Sequence, residues 1–281
     1  APHFLVEEED FAKALRKVLT GSAGGASGLR GDHLKPLLDF PDAVCALHRM
    51  FTYIIDARLP DWAQPYIAQQ MAVALGEKER PICMGELIAR TASSLVDKTV
   101  PEESDRNFFL QVIKGQRVYQ LGSSIKGGQE VAVHAVNALV HDTGKGVADL
   151  SNDGKNAYNS TDRVYAVNAT MAEFPTTARW VRWYYGKPAI INHGTTHMWG
   201  AEGPMQGCPL GGRIHDTAFQ RALIRTAQLH ADEHPTEPVD LIAFRDDAHI
   251  VGAPEHALRV HKLLTTVRNE LIGIGPSPEK D

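Results

Sequence analysis

Two adjacent carboxylates, Asp246 and Asp247, stand between two short apolar runs, Leu241-Ile-Ala-Phe244 and Ala248-His-Ile-Val251. Apolar runs on either side of a polar pair read as two strands and a turn, with the acids at the tip. Adjacent carboxylates repel one another, so the pair favours a bound cation; a solvated Asp-Asp turn is the other reading. A third acid, Asp153, ends Asp149-Leu-Ser-Asn-Asp153 and is followed by Gly-Lys-Asn-Ala-Tyr158. Brought beside the tip, Asp153 would complete a set of three carboxylates. Mg2+ suits such a set, because it keeps several waters and binds through few carboxylates plus substrate phosphates. Two such ions about 3.5–4 Å apart activate an attacking oxygen and stabilise a leaving one. Glu202-Gly-Pro-Met-Gln206-Gly207-Cys-Pro-Leu-Gly211 is a turn opening onto a helix. Gly207 would let backbone approach a flat ligand, and Gln206 could reach a base or sugar. Lys78-Glu-Arg80-Pro-Ile82 puts two cations in a turn, where Arg suits bidentate phosphate contact.

Helical spacing of apolar residues predicts helices over 7–19, 42–58, about 83–97, 127–142, 160–173, 177–185, 210–230 and 254–272. Gln70-Met-Ala-Val-Ala-Leu75 reads as a buried strand, with Gly76 to Pro81 turning out of it. Residues 147–159 read as strand to turn, 188–199 as a hairpin around Asn192-His193-Gly194, and 240–252 as strand–turn–strand. Gly21 to Gly28 reads as a flexible loop. Helices interleaved with scattered hairpins predict an α+β fold rather than a doubly wound sheet.

The 281 residues suffice for one large domain or two packed subdomains. A net charge of −5 argues against a surface that grips nucleic acid all over, but leaves room for a local basic groove. Cys45, Cys83 and Cys208 form no CxxC pair, which points away from a zinc site or disulfide framework and towards a reducing, intracellular setting. No apolar run approaches the roughly 18 residues of a membrane span. The chain reads as a piece of something longer. His193 with His197, and His230 with His234, have the spacing of a helical metal pair without an HExxH pattern. Trp180, Trp183, Tyr184 and Tyr185 have the spacing of a packed helix face, with base stacking as the alternative.

In their order these pieces resemble the reverse transcriptase family, and in particular the polymerase domain of non-LTR retrotransposons. The elements are Arg80-Pro81-Ile82, then Asp153-x4-Tyr158 within Asn156-Ala-Tyr-Asn159. Gln206-Gly-x-Pro-Leu-Gly211, Phe244-x-Asp246-Asp247 and Pro278-x-Lys280 follow. The resemblance implies right-hand fingers over about 1–145 and an antiparallel palm sheet backed by helices over 146–281, without a thumb. It implies that Asp153, Asp246 and Asp247 hold two Mg2+, with Mn2+ a substitute. Tyr158 would exclude a 2′-hydroxyl, Gln206 and Gly207 would line the nucleotide pocket, and Arg80 with Lys78 would contact the triphosphate. Lys280 would assist pyrophosphate departure. The implied partners are an RNA template, a DNA primer and deoxynucleoside triphosphates, in the nucleus for a eukaryotic element. Six positions depart from the family pattern: Ser151, Asn152, Gly154, Gly212, Arg213 and Arg245. The rivals are an RNA-directed RNA polymerase, which Tyr158 disfavours, and a non-catalytic palm-like module that binds RNA or protein.

Overall fold

The computed structural model describes residues 7–17, 23–75, 80–123, 125–142, 146–205 and 207–275 of the chain. In chain order the elements begin with α1 (Glu8–Arg16), α2 (Gly31–Leu34), α3 (Pro41–Ile55) and α4 (Gln64–Ile67). A hairpin, β1 (Gln70–Leu75) and β2 (Arg80–Gly85), leads to α5 (Leu87–Asp97) and α6 (Glu102–Phe109). Then come β3 (Leu110–Ile113), β4 (Gln116–Gln120), α7 (Gly128–Asp142), β5 (Ala148–Asn152), α8 (Ala157–Ser160), α9 (Arg163–Glu173) and α10 (Ala178–Tyr185). The chain continues through β6 (Ala189–His193), β7 (Thr196–Gly200), α11 (Gly211–Glu233), β8 (Asp240–Phe244), β9 (Asp247–Gly252) and α12 (Pro254–Ile272). The fold class is α+β, as expected.

The chain clusters into two compact units, Ala1–Val100 with Thr170–Gly211, and Pro101–Ala169 with Gly212–Asp281. The first carries the sheet β2-β1-β6-β7 and the second the sheet β3-β4-β8-β9-β5. The sheet expected to be antiparallel is mixed, because β4 and β8 pair in parallel. Parallel neighbours need a crossover, and here it includes α7, β5 and the helices that follow.

In the first unit Phe11 of α1 meets Phe51 of α3 with ring centroids 5.3 Å apart. Trp180 and Tyr184 of α10 stack at 4.9 Å, and the Trp180 indole N–H donates to Ser93 Oγ at 2.9 Å. Both rings are buried, so the packing reading of that aromatic run holds for them. The helix expected from 83 starts only at Leu87, because Arg80–Gly85 pairs with β1 as a strand. Pro81 is tolerated there because β2 is an edge strand that can spare an N–H. The loop read as flexible is tied down over its described part. The Ser27 backbone N–H donates to Glu86 Oε1 at 2.8 Å, and Arg90 donates to the Ala23 carbonyl at 2.9 Å.

In the second unit one face of the sheet carries Ile242 and Val251 against Ala132 and Val136 of α7. The helix α12 matches its expected bounds at both ends. Pro254 opens it, where a missing N–H costs nothing, and Gly273 closes it at φ 71°, a conformation that glycine adopts freely. Residues 100–127, in which the sequence pattern predicts no element, hold α6, β3 and β4. The strand β4, Gln-Arg-Val-Tyr-Gln, is polar in sequence, yet Gln116, Val118 and Gln120 on its inward face are all buried.

Candidate active site

The carboxylates are positioned by strand register. β8 and β9 pair up to Phe244↔Asp247, which leaves Arg245 and Asp246 as the two central residues of a tight turn. Arg245 has φ 60° and Asp246 has no positive φ. That is the II′ pattern, whose first central position is ordinarily glycine. β5 pairs with β9 up to Asn152↔Ala248. Asp153 is the next residue along, so it stands at the same end of the sheet as Asp247 and on the same face, since facing residues of paired strands share a face. Register thus brings Asp153, Asp246 and Asp247 to one edge of the second unit, with Asp247 exposed and the other two half-buried.

Among the described residues, no group of three or more His, Cys, Asp or Glu side chains is arranged as a metal cage. Three carboxylates at one sheet edge are nonetheless the oxygen donors that Mg2+ takes, and Mg2+ is bound with substrate phosphates and waters rather than in an all-protein cage. The donor set fits the ion in kind.

Tyr158 lies in α8 and stacks on His215 of α11, with ring centroids 5.1 Å apart and planes 27° from parallel. The Thr161 hydroxyl donates to the Ala157 carbonyl at 2.8 Å, so its oxygen accepts from His215 Nδ1–H at 2.9 Å. Burial, helped by the charges of Arg245 and Arg268, pushes His215 down to about 3, so the ring is neutral. Its Nε2 is a buried acceptor with no hydrogen-bond partner. Sequence reasoning missed His215, and only its position one turn into the helix after Gly211 could have suggested it.

Apart from Ser151, the residues that depart from the pattern of that resemblance fall into three packed sets. Arg268 of α12, which is 1% exposed, donates to Asn152 Oδ1 at 2.7 Å and to the Asp153 carbonyl at 3.0 Å. A Cβ at Gly154 would lie 2.7 Å from Ile274 Cγ2 and 3.2 Å from Arg268 Nη1, so glycine there makes room for this clamp. Arg213 forms a buried, two-pronged ion pair with Asp105 of α6. Arg245 donates to Asp216 Oδ2 at 2.6 Å, and a Cβ at Gly212 would lie 2.3 Å from Arg245 Nη1. The polar face of β5, which includes Ser151, is explained by its place at the sheet edge.

The remaining expected site residues lie elsewhere. Arg80 and Gly207 belong to the first unit. Gly207 has φ 75°, and a Cβ on it would meet the Cys83 carbonyl oxygen at 2.5 Å, so the turn after Met205 packs directly on β2, the strand that begins at Arg80. Lys78, Gln206 and Lys280 lie outside the described residues.

The histidine pairs resolve differently. His193 and His197 sit on the two strands of the β6–β7 hairpin, so helical spacing does not apply to them. His230 of α11 and His234, just past its end, are joined by His256 of α12, with ring centroids 4.9–5.5 Å apart. His230 Nδ1–H donates to Gln116 Oε1 at 3.1 Å, which leaves Nε2 to accept from His256 at 3.3 Å. Burial, then the charges of His234, His256 and Arg259, push His230 down to about 4. A histidine depressed in the folded state favours folding while neutral, so that contribution is complete above its usual value near 6.5 and is lost as pH falls towards 4. The melting temperature is expected to fall over that window, and to fall less in His230→Gln. Parallel curves for the two proteins would refute this.

No family model matches the chain, and no curated protein matches it.

Proposed function

We propose that the chain is the fingers and palm of an RNA-directed DNA polymerase, and that Asp153, Asp246 and Asp247 hold two Mg2+. In this reading the second unit is the palm and the first the fingers, so the division follows the two units rather than one boundary near residue 145. The observation that carries the proposal is the shared register of β5, β8 and β9, which brings three carboxylates from distant sequence positions to one sheet edge. The bound ions would lower the charge of the transferring phosphate and the pKa of the primer hydroxyl. The protein's own part is to hold the three acids rigidly, since phosphoryl transfer depends mainly on positioning and charge stabilisation.

Tyr158 supports deoxynucleotides over ribonucleotides. Its ring is held against His215, a rigid backing for a side chain whose role is to exclude a 2′-hydroxyl. Arg80 and Lys78 would contact the triphosphate, Gln206 and Gly207 would line the nucleotide pocket, and Lys280 would assist the leaving pyrophosphate. The RNA template and DNA primer are the implied partners. No helix among the described residues is long and apolar enough to cross a membrane.

Primer extension on poly(rA)/oligo(dT) with Mg2+ tests the proposal. Wild type is expected to extend with deoxynucleotides and Asp246→Ala is not. Equal extension by both, or extension with ribonucleotides alone, would overturn it.

A further inference from the structure

Arg245 carries the first backbone position of the turn that presents Asp246 and Asp247, and it does so at φ 60°. A non-glycine residue there costs about 1–2 kcal/mol, and such strain persists only where the surroundings over-determine it. They do so here. The Arg245 N–H donates to Gln120 Oε1 at 3.0 Å, and its carbonyl accepts from Gln120 Nε2 at 2.9 Å. Gln120 is fully buried, and its Oε1 also accepts from the Gly122 N–H at 2.9 Å. The side chain is held as well: Nη1 donates to Asp216 Oδ2 at 2.6 Å and sits 3.4 Å from Ser123 Oγ, which itself donates to the same Asp216 oxygen at 2.6 Å. Asp216 is 0% exposed.

Two glycines complete the fit. A Cβ on Gly122 would lie 2.7 Å from the Arg245 nitrogen and 2.8 Å from Asp216 Oδ2, and one on Gly212 would lie 2.3 Å from Arg245 Nη1. The bend after β4, the first turns of α11 and the β8–β9 turn are therefore fitted around one guanidinium. Glycine at 245 would relieve the backbone strain but would uncouple the turn from α11.

We infer that Arg245, Asp216 and Gln120 are positioning residues that lock the turn so that Asp246 and Asp247 face a divalent cation in a fixed geometry. The inference rests on the reading of those acids as metal ligands. Arg245, its guanidinium engaged by Asp216, would act through the turn and not as a ligand. Its charge is balanced by Asp216, so the latch adds rigidity beside the carboxylates without a net positive charge to repel the ion.

The test separates the latch from ordinary structural support. Mn2+ binding to the full chain is followed by electron paramagnetic resonance, alongside thermal melting, for wild type, Asp246→Asn, Arg245→Gly and Asp216→Asn. Wild type is expected to bind and Asp246→Asn to bind far more weakly. Arg245→Gly relieves the φ strain but leaves Asp216 buried with the Ser123 hydroxyl and without its guanidinium partner, so it is expected to melt lower than wild type while remaining folded. It is also expected to need about 10–100-fold more Mn2+ for half-saturation, the usual effect of losing an outer-shell partner. Asp216→Asn, of the same shape, is expected to weaken binding similarly, and the double variant to be no worse than the weaker single one. Absence of Mn2+ binding in wild type, or equal binding in Asp246→Asn, would overturn the metal site and the latch with it. Binding that is lost in Asp246→Asn but unchanged in Arg245→Gly and Asp216→Asn would overturn the latch alone. If Arg245→Gly does not fold, Asp216→Asn decides by the same criterion.

Discussion

Asp153→Asn is expected to lower primer extension by at least roughly 10²–10³-fold, the usual effect of removing one preorganised electrostatic contact from a transition state. The substitution keeps the side chain's size and removes only its charge. It leaves in place the hydrogen bonds by which Arg268 of α12 reaches the Asp153 backbone carbonyl and Asn152 Oδ1. Activity should therefore fall in a protein that remains folded. Of the three acids Asp153 is the one contributed from outside the β8–β9 hairpin, just after β5, so its loss separates a three-carboxylate site from a polar turn that happens to hold two acids. Extension within about 3-fold of wild type would show that Asp153 takes no part in the chemistry.

The largest effect on stability is expected at Arg213. Its guanidinium and the Asp105 carboxylate are 4% and 5% exposed, and each takes the other as a charged partner. Arg213→Met would leave Asp105 buried without that partner, at a cost of about 3–5 kcal/mol. For a chain of this size that is a fall in Tm on the order of 10 °C. Adding Asp105→Leu should recover most of the loss, because two apolar groups of similar volume avoid desolvating any charge. A single variant that melts like wild type, or a double variant that melts as low as the single, would contradict this account.

The acids and the elements that carry them were legible because their signals are local. Leu241 to Gly252 announces a hairpin by two short apolar runs around a polar pair, and α12 announces itself by apolar spacing, with an opening proline and a closing glycine at its ends. What was not legible depended on partners distant in sequence. β4 reads as polar until its glutamines are seen to satisfy other elements: Gln116 donates to the Ala227 carbonyl at 3.0 Å, and Gln120 brackets Arg245. Gln220 of α11 is similar, donating to the Phe108 and Val118 carbonyls at 3.0 and 3.1 Å. Periodicity counts such residues as surface. Arg245, Gly212, Arg213 and Gly154 look like defects one at a time, and only the fold shows that each is half of a pair.

The alternation of the chain between its two units bears on how the protein is made. In each unit a parallel strand pair joins an early segment to a late one: Gln70 faces Ile191 in one sheet, and Val118 faces Leu241 in the other. Emerging from a ribosome, β1 with its hairpin partner β2 waits until β6 and β7 have been synthesised, and β4 waits equally for β8. Non-local pairings of this kind fold slowly and leave strand edges open in the meantime. The first unit can close while the second is still incomplete, so a nascent chain released just after Gly211 would hold one finished sheet and the unpaired beginnings of another. Chaperone dependence during synthesis should therefore concentrate on β4 and β5, the strands whose partners β8 and β9 are made last.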